Sequence, residues 1–126
     1  MNRKVAEFTV TIPVEGDEPL RGKFKINVKL SYREILAMDA LRRQLLGPLS
    51  GEADGMATLI ASAVAKIRTH AIETPGWWKD AGQGMDFDDL GVVLTILEEI
   101  QKIEKSHLED LQKAAEKAAE ALKRAE

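Results

Sequence analysis

The residues able to do acid–base or metal chemistry are few and badly spaced for it. His70 and His107 are the only imidazoles. They fall on different helical stretches with no paired-ligand spacing, and a histidine at a helix end is most simply a satisfied polar residue. Asp86, Asp88 and Asp89 suggest calcium. An EF-hand loop starting at Asp86 would put Leu90 and Leu97 at its fifth and twelfth positions, where oxygen ligands are needed. Helix capping explains the same carboxylates. Gly82-Gln-Gly84 lacks the preceding strand and following Gly-Lys-Ser/Thr of a phosphate loop. Ser31, Ser50, Ser62 and Ser106 lack a nucleophile-elbow context. With no cysteine in the chain, thiolate metal sites, disulfides and cysteine nucleophiles are excluded. The expectation is a protein that is not an enzyme and has no catalytic, cofactor-binding or metal site.

Physical binding is better represented. The loop Glu73-Thr-Pro-Gly-Trp-Trp-Lys-Asp-Ala-Gly-Gln-Gly-Met-Asp-Phe-Asp-Asp89 carries Trp77, Trp78, Met85 and Phe87 amid one proline and three glycines. That punctuation predicts irregular backbone, while a solvated linker would not hold such side chains. The loop is expected to fold back on its neighbours, with the tryptophans plugging the end of the core and their exposed part offering a contact surface. A second candidate surface is the outer face of the last helix at Leu108, Leu111, Ala115, Ala118 and Leu122. Arg21, Lys23, Lys25 and Lys29, followed by Arg33, Arg42 and Arg43, could track phosphates. No aromatic residues interleave with the lysines, and the net charge is −3, so solvated strand positions explain them better and no nucleic-acid partner is expected.

The elements that position these residues follow from periodicity. Phe8, Val10, Ile12 and Val14 alternate with polar residues, as do Phe24, Ile26, Val28 and Leu30. Between them lies the turn-forming Glu15-Gly-Asp-Glu-Pro-Leu-Arg-Gly22, and the whole reads as an antiparallel β-hairpin over about 5–30. A lone hairpin is marginal, so its apolar face needs covering. Ser31 and Glu34 form a capping box, with Leu30 and Ile35 at staple spacing. They open a helix over about 32–46 with Ile35, Leu36, Met38, Leu41, Leu45 and Leu46 on its stripe, stopped by Gly47-Pro48. Leu49 to Gly55 reads as loop. A second helix, about 54–73, carries Leu59, Ile60, Ala63, Val64, Ile67 and Ala71 and ends before Pro75. The third, about 87–122, is capped by Asp86 or Asp88 and has Leu90, Val93, Leu94, Ile96, Leu97, Ile100 and Ile103 on a broad apolar face.

The predicted class is α+β, mainly α, in a single domain spanning 1–126. A helix from 87 to 126 would be ~60 Å long, against a radius of gyration of ~13 Å for a domain of this order. Residues 105–126 are therefore expected to protrude, fray, or pack on a helical partner or a second copy. No stretch approaches the ~18 apolar residues of a membrane span, and the N-terminus lacks a signal-peptide core, so a soluble cytoplasmic protein with no membrane partner is expected.

The stretch Arg68-Thr-His-Ala-Ile-Glu-Thr-Pro-Gly-Trp-Trp78, its Gly-rich turn, Asp86-Phe-Asp-Asp-Leu90 and Val93-Leu-Thr-Ile-Leu-Glu-Glu-Ile100 resemble the tail assembly chaperones of long-tailed, siphovirus-like bacteriophages. Lys29-Leu-Ser-Tyr-Arg-Glu-Ile-Leu-Ala-Met-Asp39 extends the resemblance, which covers about residues 20–105. It implies a helical protein that coats the tape-measure protein, keeps it soluble and is displaced as tail tube subunits polymerise. It also implies self-association, and a longer frameshifted form that recruits the tail tube protein, to which this chain would be the short counterpart. The implied location is the cytoplasm of the infected host, with the protein absent from the mature virion. The family motif supplies no partner-binding residues. Two alternatives from the residues stand beside it: a structural or adaptor module for helical oligomerisation, such as a tail component, and a small DNA-binding regulator.

Overall fold

The computed structural model describes residues 3–48 and 54–125. Two strands, β1 (Val5–Ile12) and β2 (Leu20–Asn27), form the expected hairpin. They pair antiparallel with Phe8 opposite Phe24. The alternation has the anticipated physical result: Phe8, Val10, Ile12, Phe24, Ile26 and Val28 are buried on one face. Helix α1 (Tyr32–Leu46) begins at Ser31, where both arms of the capping box form: Ser31 Oγ accepts from Glu34 N–H at 3.2 Å, and Glu34 Oε1 accepts from Ser31 N–H at 2.9 Å. Helix α2 (Gly55–His70) is capped by Asp54, whose Oδ1 accepts from Ala57 N–H at 2.8 Å. Of the loop expected over Leu49–Gly55, residues 49–53 lie outside the described residues, and Gly55 is already helical.

Three expectations are corrected. Residues 71–73 are not the end of α2. Ala71–Glu73 form a third strand, β3, antiparallel to β2 with an irregularity at Lys25/Ile26, so the sheet order is β1-β2-β3. Pro75 disfavours helix at the residue before it, and the free side of β2 supplies hydrogen bonds a further helical turn would have had to replace. The tryptophan loop is irregular only in part: Gly76–Asp80 make a short helix α3, and Gly82–Gly84 a 3₁₀ turn, while 85–89 stay without helix or strand. Pro75 sits at the cap position of α3, where its missing N–H costs nothing. The last helix, α4, runs Leu90–Ala125 rather than from 87 to 122. Asp89, not Asp86 or Asp88, stands at its start, with Oδ1 accepting from Gly91 N–H at 2.8 Å.

The protein is thus α+β and mainly helical. α2 and α4 pack on each other, α4 also contacts β1, and α1 packs on α2. One core joins the inner face of the hairpin to Ala63, Val64 and Ile67 of α2 and Val92, Val93, Ile96 and Ile100 of α4. The burial of α4 stops there. From Leu108 to Ala125 every described residue is exposed, although the helix is ~54 Å long. α1 is also unusual, for it contributes no buried residue despite its apolar stripe. Among the described residues no helix is long and apolar enough to cross a membrane.

Candidate docking surface

The tryptophan loop is a plug against the sheet. Trp78 is 2% exposed and meets the Phe24 ring edge-on at 6.0 Å, while Phe24 stacks on Phe8 at 5.2 Å. Trp77 is half-buried over the same ring, and its indole N–H donates to the Arg21 carbonyl at 2.9 Å. Two glycines make room. A Cβ on Gly22 would lie 2.3 Å from Pro75 Cγ, and one on Gly84, where φ is +96°, would lie 2.4 Å from Trp78 Cη2. Arg68 ties the plug down by donating to the carbonyls of Gln83 and Gly82, each at 2.9 Å. Its partial burial lowers the guanidinium pKa through desolvation. Of the loop residues expected at a contact surface, Trp78 is removed by burial and Phe87 packs against the core; Met85 stays 40% exposed.

A groove of about 470 Å³ opens where α4 leaves the core. Val28 and Leu30 line one side, Tyr32, Ile35 and Met38 of α1 another, and Leu108 and Leu111 of α4 a third. Its charged and imidazole residues are Lys29, Lys66, His70, Glu104 and His107. Lys66 Nζ is 2.7 Å from Glu104 Oε1, which ties α2 to α4. His70 is fully buried, and its Nδ1–H donates to the Asn27 carbonyl at 2.6 Å. Among the described residues Nε2 has no hydrogen-bond partner, and it stands 3.6 Å from Glu104 Oε2. A neighbouring concavity carries Arg3, Lys4 and Lys29. Arg3 is bonded to Glu34, which pulls that carboxyl down from 4.5 to about 2, the Arg3 hydrogen bond being the main cause and the Ser31 bonds adding to it.

Past the groove, α4 keeps its inward line. At ~100° per residue, Ile100, His107, Leu111 and Ala118 fall within about 20° of one axis, and Ala115 and Leu122 within about 60°. The charged residues from Lys105 to Arg124 sit about 80° or more away, and Leu108 flanks the line at about 80° on the side of Ala115 and Leu122. The face that packs the core thus continues into solvent: Leu108 is 56% exposed, Leu111 46% and Leu122 70%, and Ala115 and Ala118 are exposed. The five helix positions expected at a docking surface therefore lie together on an open face. Residue spacing did not single out the α1 wall. The available signal was Leu36, about 100° from Ile35; apolar residues so far apart exceed what one neighbouring helix covers, and Leu36 and Tyr32 are 71% and 88% exposed.

The geometry suits apolar docking. Groove volume is in the range of ligand sites, but its open end runs onto a helix face, the arrangement that receives an amphipathic segment. Among the described residues no group of three or more His, Asp or Glu could hold a metal ion. On the solvent side of the hairpin, Lys23 lies 3.2 Å from Glu7, which offsets part of the basic stripe. No protein-family model, curated protein or solved structure matches the chain.

Proposed function

We propose that this protein is a non-enzymatic tail assembly chaperone, which binds the tape-measure protein through apolar helix faces and keeps it soluble until tail tube subunits replace it. The observation that carries the reading is the uncovered apolar line of α4, running from the groove at Leu108 and Leu111 out to Leu122. The sequence resemblance over residues 20–105 gives the line a client: a long, helical, apolar-rich chain. Replaceable weak contacts repeated along such a client give avidity without irreversible binding. The basic residues Lys4 and Lys29 beside the groove favour client segments whose polar face is acidic. Self-association would array copies along the client, and recruitment of the tube protein would fall to a longer frameshifted form. The setting is the cytoplasm of the infected bacterium, and the mature virion would lack the protein.

A helical adaptor that joins other tail components would use the same surface, and the client distinguishes the two. Light scattering after size exclusion, with and without the tape-measure protein encoded downstream, tests the proposal. The expected result is a soluble complex with many copies per tape-measure chain. Removal of residues 105–126 is expected to leave the thermal midpoint within about 4 °C, because the exposed segment buries little, and to abolish the complex. A monomer that leaves the tape measure insoluble overturns the chaperone reading.

A further inference from the structure

Among the described residues the outer edge of β1 is an unpaired ladder with a defined register. Val28 N–H donates to the Lys4 carbonyl at 3.0 Å, one step beyond the Val5–Asn27 pair. In an antiparallel ladder, alternate residues of a strand bond to the same neighbour. Lys4, Ala6, Phe8, Val10 and Ile12 therefore bond to β2, and Val5, Glu7, Thr9 and Thr11 direct N–H and C=O groups outward. Those four residues are exposed, β1 is at the end of the sheet order, and no backbone or side-chain hydrogen bond reaches their main chain among the described residues. The strand is eight residues long and holds one charged side chain and no proline. Its pairing with β2 runs without irregularity. It therefore has few of the usual defences of a free edge.

We propose that β1 pairs antiparallel with β1 of a second copy about a two-fold axis at Phe8, joining two three-stranded sheets into one of six strands. The register follows by elimination. Side chains must keep to their own face, so the axis must pass through a residue and not between two. An axis at Glu7 opposes Glu7 to the partner's Glu7, a like-charge pair. An axis at Thr9 opposes Val5 to the partner's Pro13, which has no N–H. An axis at Phe8 opposes Val5 to Thr11 and Glu7 to Thr9, and every outward N–H and C=O of the four residues finds a partner. On the core face, Phe8 then meets the partner's Phe8 in a close non-hydrogen-bonded pair. Because Phe8 already stacks on Phe24 with ring planes 7° apart, the dimer would continue one aromatic column across the axis. The interface is isologous, as a closed dimer requires. It is separate from the α4 surface and does not rest on the chaperone reading.

Charge substitutions at Thr9 read the register, with dimerisation measured by sedimentation equilibrium on the full chain. Thr9→Lys sets a lysine opposite the partner's Glu7 and is expected to tighten the dimer; Thr9→Glu sets two carboxylates together and is expected to weaken it, each by roughly tenfold with two such pairs per dimer. Thr9→Pro removes only an outward N–H, so it is expected to leave the far-UV spectrum unchanged and yield a monomer. Amide exchange is expected to show the Glu7 and Thr9 N–H groups protected in the dimer and released on dilution, while Phe8 and Val10 stay protected in both. A chain that is monomeric up to high concentration overturns the proposal. So does weakening by both charges, which would place Thr9 against itself, or a dimer that survives Thr9→Pro and is lost on removing residues 105–126.

Discussion

Substituting Gly84 by alanine asks whether the tryptophan plug is held in one place. The new Cβ would stand 2.4 Å from Trp78 Cη2 and 2.9 Å from Trp78 Cζ2 and Cζ3. These atoms belong to a rigid indole that is 2% exposed and packed on Phe24, so the ring cannot turn aside without disturbing the sheet. Two costs combine: about 1–2 kcal/mol for placing an L side chain at positive φ, and about 1–3 kcal/mol for overpacking. Gly82 separates them. It too has positive φ, +60°, but its Cβ would meet Asp86 Oδ2 at 2.6 Å, the end of an exposed side chain that can swing into water. Gly82→Ala should therefore carry the backbone cost alone. For 126 residues, an unfolding entropy near 2.1 cal/mol/K per residue makes each kcal/mol worth about 4 °C in Tm. The expected falls are about 4–8 °C for Gly82→Ala and about 8–20 °C for Gly84→Ala, read by circular dichroism at 222 nm and by urea denaturation. Equal falls would mean that Trp78 does not occupy its place against Gly84, and the plug as described would be wrong.

Two further outcomes follow from the same structure. His70→Leu removes the hydrogen bond from His70 Nδ1–H to the Asn27 carbonyl and is expected to cost about 1–3 kcal/mol. Restoring the donor with His70→Gln should recover part of this in urea unfolding; equal loss in both variants would show that the hydrogen bond contributes nothing. For Glu34, the folded carboxyl titrates at about 2, below its unfolded value of 4.5. Its contribution is then fully present above pH 4.5 and lost as pH falls toward 2. Carbon-detected NMR titration should place this carboxyl well below its ordinary value and show it rising in Arg3→Ala; no rise would remove Arg3 as the cause.

Several features were legible in the chain because they arise from neighbours in sequence. Alternation at Phe8, Val10 and Ile12 and again at Phe24, Ile26 and Val28 specifies a one-sided hairpin, since side chains on a strand repeat every two residues. The Ser31–Glu34 box closes within one turn. The length of α4 against the size of a small core foretold that its end would find no cover. The docking candidates Leu108, Leu111, Ala115, Ala118 and Leu122 emerged the same way, from spacing alone.

Other features depended on contacts between segments far apart in the chain. Ala71–Glu73 became a strand because β2 had an unpaired side within reach, a fact about the sheet rather than about three residues of mixed propensity. Which tryptophan is buried was settled by Gly22 and Gly84, which leave room for Pro75 beside Trp77 and for the Trp78 ring. Neither glycine advertises this in sequence, where both read as turn punctuation. The open α1 stripe and the free edge of β1 are likewise properties of what the rest of the chain does not cover. Local periodicity therefore determined the elements and their apolar faces. Tertiary packing decided which of those faces were used up, because one small core can satisfy only some of the apolar surface the elements present.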